Sequence, residues 1–408
     1  MTPVSSLTWP QKIFIVLPLT LFLPIGVVYT VAIAVLIALA ATGRLAEKWQ
    51  SIKSHPFTRS VLIYCAVMVV VALYSDWSRD EFWSHLGHYL TYLFLLAFLA
   101  LGGGEWKQRA LDVFYLSALL GATIFYGTVF ELVPEIKIFE SFVVYQGGKS
   151  ILLGMLLAVA VGWMLLDLVR RFTWLRLVAI LYISGALLFI AKGRIGYVLF
   201  IVAVLMIAPK LLHLSRRASL ALAFCMGAGL VMVWNFSESL RDRTMETVDG
   251  MRSYSETQVK DTSTGLRMQM IVGSSIMAAE KPFFGHGMAA WVPEFYARYG
   301  KVMGVRELTP HNEYLLHAFE AGMLGLGALL WLWWRQWRIG GRMASADGDR
   351  VVMLTAMMLV AALFNVIMRD GTYAMAFMIL LAIPFAGARS TAAPATPATL
   401  RSTVSQSA

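Results

Sequence analysis

The chain of 408 residues has few charged side chains and almost no cysteine. Charged residues make up 14% of it, against about 25% in a typical soluble domain. The two cysteines, Cys65 and Cys225, both lie inside apolar runs. We expect them to pack as small core residues, so the sequence predicts neither a disulfide nor a cysteine metal site.

Several motifs that mark other classes of enzyme are missing. The sequence has no Walker phosphate loop, no HExxH zinc motif and no GxSxG nucleophile elbow. No DxD pair lies on a predicted outer loop to hold a metal-bound nucleotide. We therefore expect no cofactor, metal or nucleotide, and a transfer reaction would need a substrate that is activated in advance.

Long apolar runs dominate what remains. Hydrophobic residues account for 59% of the chain, and the mean hydropathy is +0.68. Runs of roughly 17–20 residues recur along the sequence, each able to cross a hydrocarbon core of about 30 Å. We predict an all-α, polytopic membrane protein with about 12 transmembrane helices. The predicted spans are residues 12–25, 27–42, 59–75, 87–102, 109–130, 150–167, 175–191, 195–209, 218–235, 313–334, 351–368 and 372–388.

The first two of these spans are open to a second interpretation. Pro18, Pro24 and Gly26 interrupt the apolar run, which allows one long helix or two short ones. Twelve spans place both termini in the cytoplasm, whereas eleven would place the N-terminus outside. We favour twelve.

The distribution of the positive charges, in a chain with a net charge of +10, indicates the membrane topology. Lys and Arg are concentrated in alternate short connectors, which the positive-inside rule assigns to the cytoplasm. We therefore predict a bacterial inner-membrane protein with no nucleic-acid partner. The cationic connectors include Arg59, Lys107, Arg170, Arg216 and Arg342.

Four parts follow from this topology. Residues 1–235 hold the first nine spans, and residues 236–312 form one long periplasmic loop domain. Residues 313–388 hold the last three spans. Residues 389–408, rich in Ala, Thr, Pro and Ser, are expected to be a disordered cytoplasmic tail.

The long loop is predicted to contain two short helices. Residues 265–280 have apolar side chains at helical spacing and can lie flat at the membrane surface. Lys281-Pro282 ends that helix, and residues 283–287 (FFGHG) predict a turn. A second short helix is expected to run from Trp291 to Tyr299.

Lys192 and Arg194 lie in a connector on the side where cations are scarce. An isolated Arg there is usually a snorkelling charge at a helix end. Two cations beside Gly193 and Gly196 instead favour binding an anion, since an Arg fork holds two phosphate oxygens at once. Arg267, on the first loop helix, is unremarkable alone but would complete a clamp for a diphosphate if it met Arg194.

His311 stands at the start of the tenth predicted span. A histidine ring can accept a proton near neutral pH, although a lone histidine is more often structural. The setting of His311 differs from that of the other histidines, because Asn312 and Tyr314 lie beside it and a helix begins there. We predict that His311 is catalytic, with Asn312, Tyr314 and Lys192 as candidate supporting residues.

At these positions the sequence resembles the O-antigen ligase and polymerase superfamily of bacterial envelope glycosyltransferases. Residues 310–316 (PHNEYLL) and 320–325 (EAGMLG) resemble the family motifs P-H-N-x-Y-L and E-x-G-x-x-G. Residues 281–287 (KPFFGHG) resemble a Pro-aromatic-Gly-x-Gly turn. Arg194 and Arg267 match two arginines of the family, although Gly193 precedes Arg194 where many relatives have Ser.

The resemblance covers roughly residues 180–370 and implies a membrane fold of the GT-C type. It implies an undecaprenyl-diphosphate-linked O-antigen as donor, a lipid A-core oligosaccharide as acceptor, and neither metal nor nucleotide. His311 would be the general base of an inverting transfer, and Arg194 and Arg267 would bind the donor diphosphate. O-antigen polymerase and protein O-oligosaccharyltransferase use the same donor and stay as alternatives, and a transporter of lipid-linked glycan is a fourth. The positions of the cations at the outer rim, away from the bilayer midplane, favour an enzyme.

Overall fold

The computed structural model describes residues 7–143, 147–191, 193–211, 245, 263–303 and 307–388. Over these residues the regular structure is helical and includes no strand, which confirms the predicted all-α class. The predicted ninth span, the first part of the loop domain and the tail at 389–408 lie outside the described residues. The helices are α1 (Trp9–Thr20), α2 (Ile25–Ala41), α3 (Leu45–Ser54), α4 (Thr58–Tyr74), α5 (Phe82–Tyr89), α6 (Tyr92–Leu99), α7 (Trp106–Val129), α8 (Glu140–Val143), α9 (Gly147–Arg170), α10 (Trp174–Gly185), α11 (Arg194–Leu211), α12 (Ser263–Glu280), α13 (Trp291–Met303), α14 (Glu313–Arg342), α15 (Ala346–Ala361) and α16 (Gly371–Phe385).

The helices α7, α9 and α14 are each long and apolar enough to cross a membrane. A fourth candidate exists if α2 and α3, which meet at a bend of 117°, are taken as one broken span. Shorter apolar helices follow the other predicted runs, among them α4, α10 and α16. The chain is therefore a helical membrane protein, while the count of twelve spans stays a prediction.

Residues 9–41 form two helices rather than one. α1 ends at Thr20, and α2 begins at Ile25 directly after Pro24. Pro24 lacks the N–H that a continuous helix would need at that point, so the helix breaks there. At about 18 Å, α1 is much shorter than a hydrocarbon core.

The predicted span 87–102 was wrong as a single continuous helix. The structure has two eight-residue helices, α5 and α6, which meet at Leu90 and Thr91. The backbone there uses short i→i+3 bonds, from Leu93 to Leu90 and from Phe94 to Thr91. The predicted span 351–368 likewise ends early, because α15 stops at Ala361 and an irregular segment runs to Asp370.

The centre of the bundle is formed by α9 and α16. Almost every side chain of α16 is buried, and α9 packs closely against α11. A Cβ on Gly196 of α11 would lie only 3.2 Å from the backbone of Gly154 on α9. Small residues let helix backbones approach closely, which is how helices associate where burial from water gives no driving force.

The two loop helices are present, but α12 packs against the bundle rather than lying free at a surface. Its Met270 and Met277 are buried with Trp291 and Phe295 of α13 and with Phe319 of α14. Part of the apolar face predicted to meet lipid is thus covered by protein. The side chains of Val272 and Ile276 remain exposed.

The turn after α12 is built into a kink in α14. Gly322 leaves the helical conformation with φ +62°, so the backbone of α14 opens at this point. The N–H groups of His286 and Gly287 donate to the carbonyl oxygens of Phe319 (2.8 Å) and Glu320 (2.9 Å). In the opposite direction, the N–H of Met323 donates to the carbonyl oxygen of Pro282 at 2.7 Å. Residues 281–287 and residues 320–325, the two glycine-containing motifs, therefore form one joint between the loop and the bundle.

Candidate functional site

His311 precedes α14 in a constrained backbone conformation. Its φ of +52° lies in the left-handed region, which side chains other than glycine seldom adopt. The following residues hold it there: Asn312 caps α14, and the N–H of Glu313 donates to the carbonyl oxygen of Ala362 at 2.8 Å. Conformations of this kind cluster at active sites and ligand-binding turns.

Glu307 is the side chain that orients His311. Nε2 of the imidazole lies 3.3 Å from Oε2 of the carboxylate, with both groups partly exposed. This hydrogen bond is the main cause that lowers the pKa of Glu307, with burial opposing it and the charges of His311 and Arg267 assisting. If Nε2 carries the proton toward Glu307, Nδ1 is left with a free electron pair.

Arg194 and Arg267 come together in the structure. Arg194 begins α11 and Arg267 lies in the first turns of α12, far apart along the chain. Burial is the main cause that lowers the pKa of Arg267, and the charge of Arg194 lowers it further. Glu307 and Tyr373 act in the opposite direction. Two neighbouring guanidinium groups in a partly buried setting attract an anion.

The same contacts connect the arginine pair to the histidine. Arg267 interacts with Glu307, and Glu307 in turn binds His311. Residues from α11, α12 and the segment before α14 thus interact electrostatically. Arg194, Arg267 and His311 are thus linked through Glu307 by a series of electrostatic interactions, and these four residues form the cluster discussed below. Sequence reasoning had missed the carboxylate of Glu307.

The chain before Arg194 is irregular. Residues Ala186–Ile190 form a π-helical turn after α10, a feature that is frequent at functional sites. The hydroxyl of Tyr197 donates to the carbonyl oxygen of Ala191 at 2.7 Å and so fixes the start of α11. Lys192, predicted as a supporting cation, lies outside the described residues.

Asn312 and Tyr314 make contacts within the fold. Oδ1 of Asn312 accepts the N–H of Leu315 at 3.0 Å, and Nδ2 donates to the carbonyl oxygen of Leu363 at 3.1 Å. The hydroxyl of Tyr314 donates to the carbonyl oxygen of Leu359 at 2.6 Å. Both side chains therefore tie the start of α14 to the end of α15, which supports His311 indirectly.

A buried polar network lies below the site and was also missed. Glu313, His317 and Glu320 are each fully buried on one face of α14. Nδ1 of His317 lies 3.0 Å from the Glu313 carboxylate, and its Nε2 is 3.1 Å from the Tyr64 hydroxyl. The spacing of these three residues could have predicted the network, since residues three or four positions apart share a helix face.

The second half of that network reaches the segment before α16. The hydroxyl of Tyr89 donates to Glu320 at 2.8 Å, and Nδ1 of His85 lies 3.2 Å from the same carboxylate. Nε of Arg369 donates to Nε2 of His85 at 2.8 Å. Buried ionisable groups within a membrane protein are costly unless partnered, and here each has a polar neighbour.

Within the part of the chain that the structure describes, His, Cys, Asp and Glu form no group of three or more that could hold a metal ion.

Part of the chain matches one known protein family. Residues 178–330 match the sequence model of a family described as O-Antigen ligase. This match confirms the resemblance to the O-antigen ligase family over these residues. No curated protein matches it.

The O-antigen ligase match contains Arg194, Arg267, Glu307 and His311, and it also spans the joint between the loop and α14. The match to this family and the apolar helices together indicate a multi-pass membrane protein of lipopolysaccharide biosynthesis. The family implies a lipid-linked glycan and lipid-type substrates in general. The activity is that of a glycosyltransferase-like ligase or polymerase.

Proposed function

We propose that this protein is an O-antigen ligase of the inner membrane, with its site facing the periplasm. It transfers a glycan from undecaprenyl diphosphate to a lipid A-core oligosaccharide without metal or nucleotide. The observation that carries this proposal is the cluster of Arg194, Arg267, Glu307 and His311 within the family region.

In the proposed reaction, Nδ1 of His311 takes the proton from a hydroxyl group of the acceptor. The acceptor oxygen attacks the anomeric carbon of the donor as the bond from that carbon to the diphosphate oxygen breaks. The bonding electrons leave with undecaprenyl diphosphate, and a single displacement inverts the anomeric centre. Glu307 accepts a hydrogen bond from Nε2 and stabilises the imidazolium that forms, as carboxylates do for other catalytic histidines.

The arginine pair is proposed to act on the leaving group. Negative charge grows on the diphosphate as the glycosidic bond breaks, and preorganised donors stabilise such charge best. Burial and the like charge of Arg194 both lower the pKa of Arg267, which Glu307 and Tyr373 partly offset. A diphosphate would relieve this repulsion, so the site is arranged for an anion.

Reconstitution tests the proposal. Purified protein would be combined with undecaprenyl-diphosphate glycan and rough lipopolysaccharide, and products would be separated by gel electrophoresis. A ligase should extend the lipopolysaccharide in a banded pattern. An absence of glycan-extended product at every protein level, with folded protein, would contradict an enzymatic role and favour the transporter.

Changing the acceptor in the same assay separates the related activities. Extension of a second lipid-linked unit would indicate an O-antigen polymerase, which the family match allows equally. Glycan on a pilin-like protein would indicate a protein O-oligosaccharyltransferase. Transfer to the lipid A-core alone would support the ligase.

A further inference from the structure

A cavity of about 790 Å³ opens at the end of the bundle far from His311. Its walls are the beginnings of α7 and α15 and the ends of α14 and α16. At 1.5 Å per residue, the part of α14 after the kink at Gly322 extends roughly 20 Å to Arg335 and roughly 30 Å to Arg342. His311 and the cavity therefore lie near opposite ends of α14, and the positive-inside rule predicts that they face opposite sides of the membrane.

Four cationic side chains and one carboxylate line this cavity. Two of the cations are engaged by the wall itself. Nζ of Lys107 donates to Asp347 at 2.6 Å and to the carbonyl oxygen of Ala386 at 3.0 Å. Arg350 is buried and forms ion pairs with Asp167 and Asp347. These contacts fix the wall and neutralise its carboxylate.

Arg335 and Arg342 are the other two cations. Nε of Arg335 donates to the hydroxyl of Ser60 at 3.4 Å, and Arg342 is exposed. Among the residues with described side chains, no carboxylate lies within 4.0 Å of either guanidinium group. Seven positions separate them, so they project from the same face of α14 two turns apart. The cavity therefore presents two cations that are not balanced by acid.

The rest of the lining consists of Gln108, Ser345, backbone and apolar side chains. Gly387 adopts φ +79°, and a Cβ there would lie 2.5 Å from the Cα of Gly103, so two segments meet with no side chain between them. Leu111, Ile339 and Ile383 supply apolar surface. Unbalanced cations and apolar surface occur together in one space, as an amphipathic ligand requires.

We propose that this cavity binds the phosphate-bearing headgroup of an anionic membrane lipid. Arg335 and Arg342 would hold the phosphate oxygens through their planar forks, and the apolar wall would take the adjoining carbons. Basic pockets between helices bind lipid headgroups in this way. The volume lies in the range of small-molecule sites, about 300–1,000 Å³, and a lone phosphate would fill little of it. The inference does not depend on the proposed glycan transfer.

The test measures lipid binding to the full-length protein by native mass spectrometry, with phosphatidylglycerol and phosphatidylcholine as probes. We expect preferential retention of phosphatidylglycerol. Arg335→Gln with Arg342→Gln should weaken its binding by about tenfold or more, since each cation near a headgroup contributes measurably. Arg338→Gln is the matched control, because Arg338 lies on the same helix but stacks over Trp334 outside the cavity.

Two further arms complete the test. Arg342→Gln alone changes an exposed residue and so keeps the fold; it should weaken phosphatidylglycerol binding in the same direction. Inorganic phosphate should fail to displace the lipid at millimolar concentration. Equal binding by the double variant and Arg338→Gln would overturn the proposal. Full displacement by inorganic phosphate would overturn the lipid assignment.

Discussion

At the residue scale, the hydrogen bond between His311 and Glu307 fixes the orientation of the imidazole ring. In the proposed reaction, the carboxylate occupies one ring nitrogen and leaves the other for the substrate proton. A lone histidine would be free to adopt either tautomer. Glu307 is itself held from α13, since its N–H donates to the hydroxyl of Tyr296.

Replacing the histidine should remove the chemistry and keep the binding. For His311→Ala we expect product formation to fall by about 10²–10⁴-fold, as loss of a general base does. Donor binding should persist because the arginines are untouched. Single-turnover transfer and donor-binding assays on the same preparation provide the measurement. Normal turnover in this variant would exclude His311 as the base.

Replacing the carboxylate should change the pH dependence. The pKa of Glu307 is lowered from its ordinary value of 4.5, so the group is ionised throughout the neutral range. Its stabilising effect on the imidazolium is present above pH 4.5 and is lost as pH falls through the lowered pKa. Glu307→Gln removes that charge at every pH, so the acidic limb of the kcat/KM profile should move to lower pH.

The control for that change is Glu280→Gln. Glu280 also pairs with a cation, Arg298, but at an exposed position at the end of α12. Its pH profile should match that of the unmodified protein. If the pH profile of kcat/KM were unchanged in Glu307→Gln, Glu307 would have only a structural role.

The arginines should tolerate lysine poorly. We expect Arg194→Ala and Arg267→Ala each to lower kcat/KM by about 100-fold, a typical loss for one donor to a developing anion. Lysine keeps the charge but lacks the bidentate fork, so Arg→Lys variants should recover only part of the rate. Full activity with lysine at both positions would contradict the clamp.

At the element scale, α14 connects the site, the loop and the buried network. It begins beside His311, opens at Gly322 to receive the turn after α12, and carries Glu313, His317 and Glu320 on one buried face. The placement of α12, and with it Arg267, depends on this joint. The turn at residues 283–287 and Gly322 therefore position the helix that carries Arg267.

Gly322→Ala should disrupt that joint. A Cβ at this position would lie 2.4 Å from the backbone of Phe283, and φ is +62°. Overpacking and the left-handed conformation together should cost about 3 kcal/mol or more. Gly327→Ala is the control on the same helix, because a Cβ there meets nothing within 4 Å. Thermal melting of the purified proteins should separate the two, and equal Tm values would refute the joint.

At the scale of the whole molecule, α14 relates the two ends of the bundle. The candidate site lies where α14 and α16 begin and α15 ends, and the basic cavity lies at the other end of the same helices. The positive-inside rule then predicts the cavity in the cytoplasm and the site in the periplasm.

Chemical labelling tests this orientation. In a background without Cys65 and Cys225, Leu308→Cys and Ala344→Cys place single thiols at exposed positions near opposite ends. An impermeant maleimide should label the thiol at 308 in intact spheroplasts and the thiol at 344 only after permeabilisation. The reverse pattern would invert the predicted topology.

Hydropathy by itself determined the class of this protein, because a chain with this many apolar runs satisfies its backbone in a membrane only as helices. Local motifs also identified Arg194, Arg267 and His311 as candidates.

Sequence could not show that α5 and α6 are separate helices or that α12 is covered by protein, since both outcomes depend on packing partners distant along the chain. Only the tertiary structure paired Glu307 with His311 in the cluster containing both arginines, and collected Arg335 and Arg342 in a cavity. Proximity between residues far apart in sequence arises from how the helices pack, which no local pattern encodes.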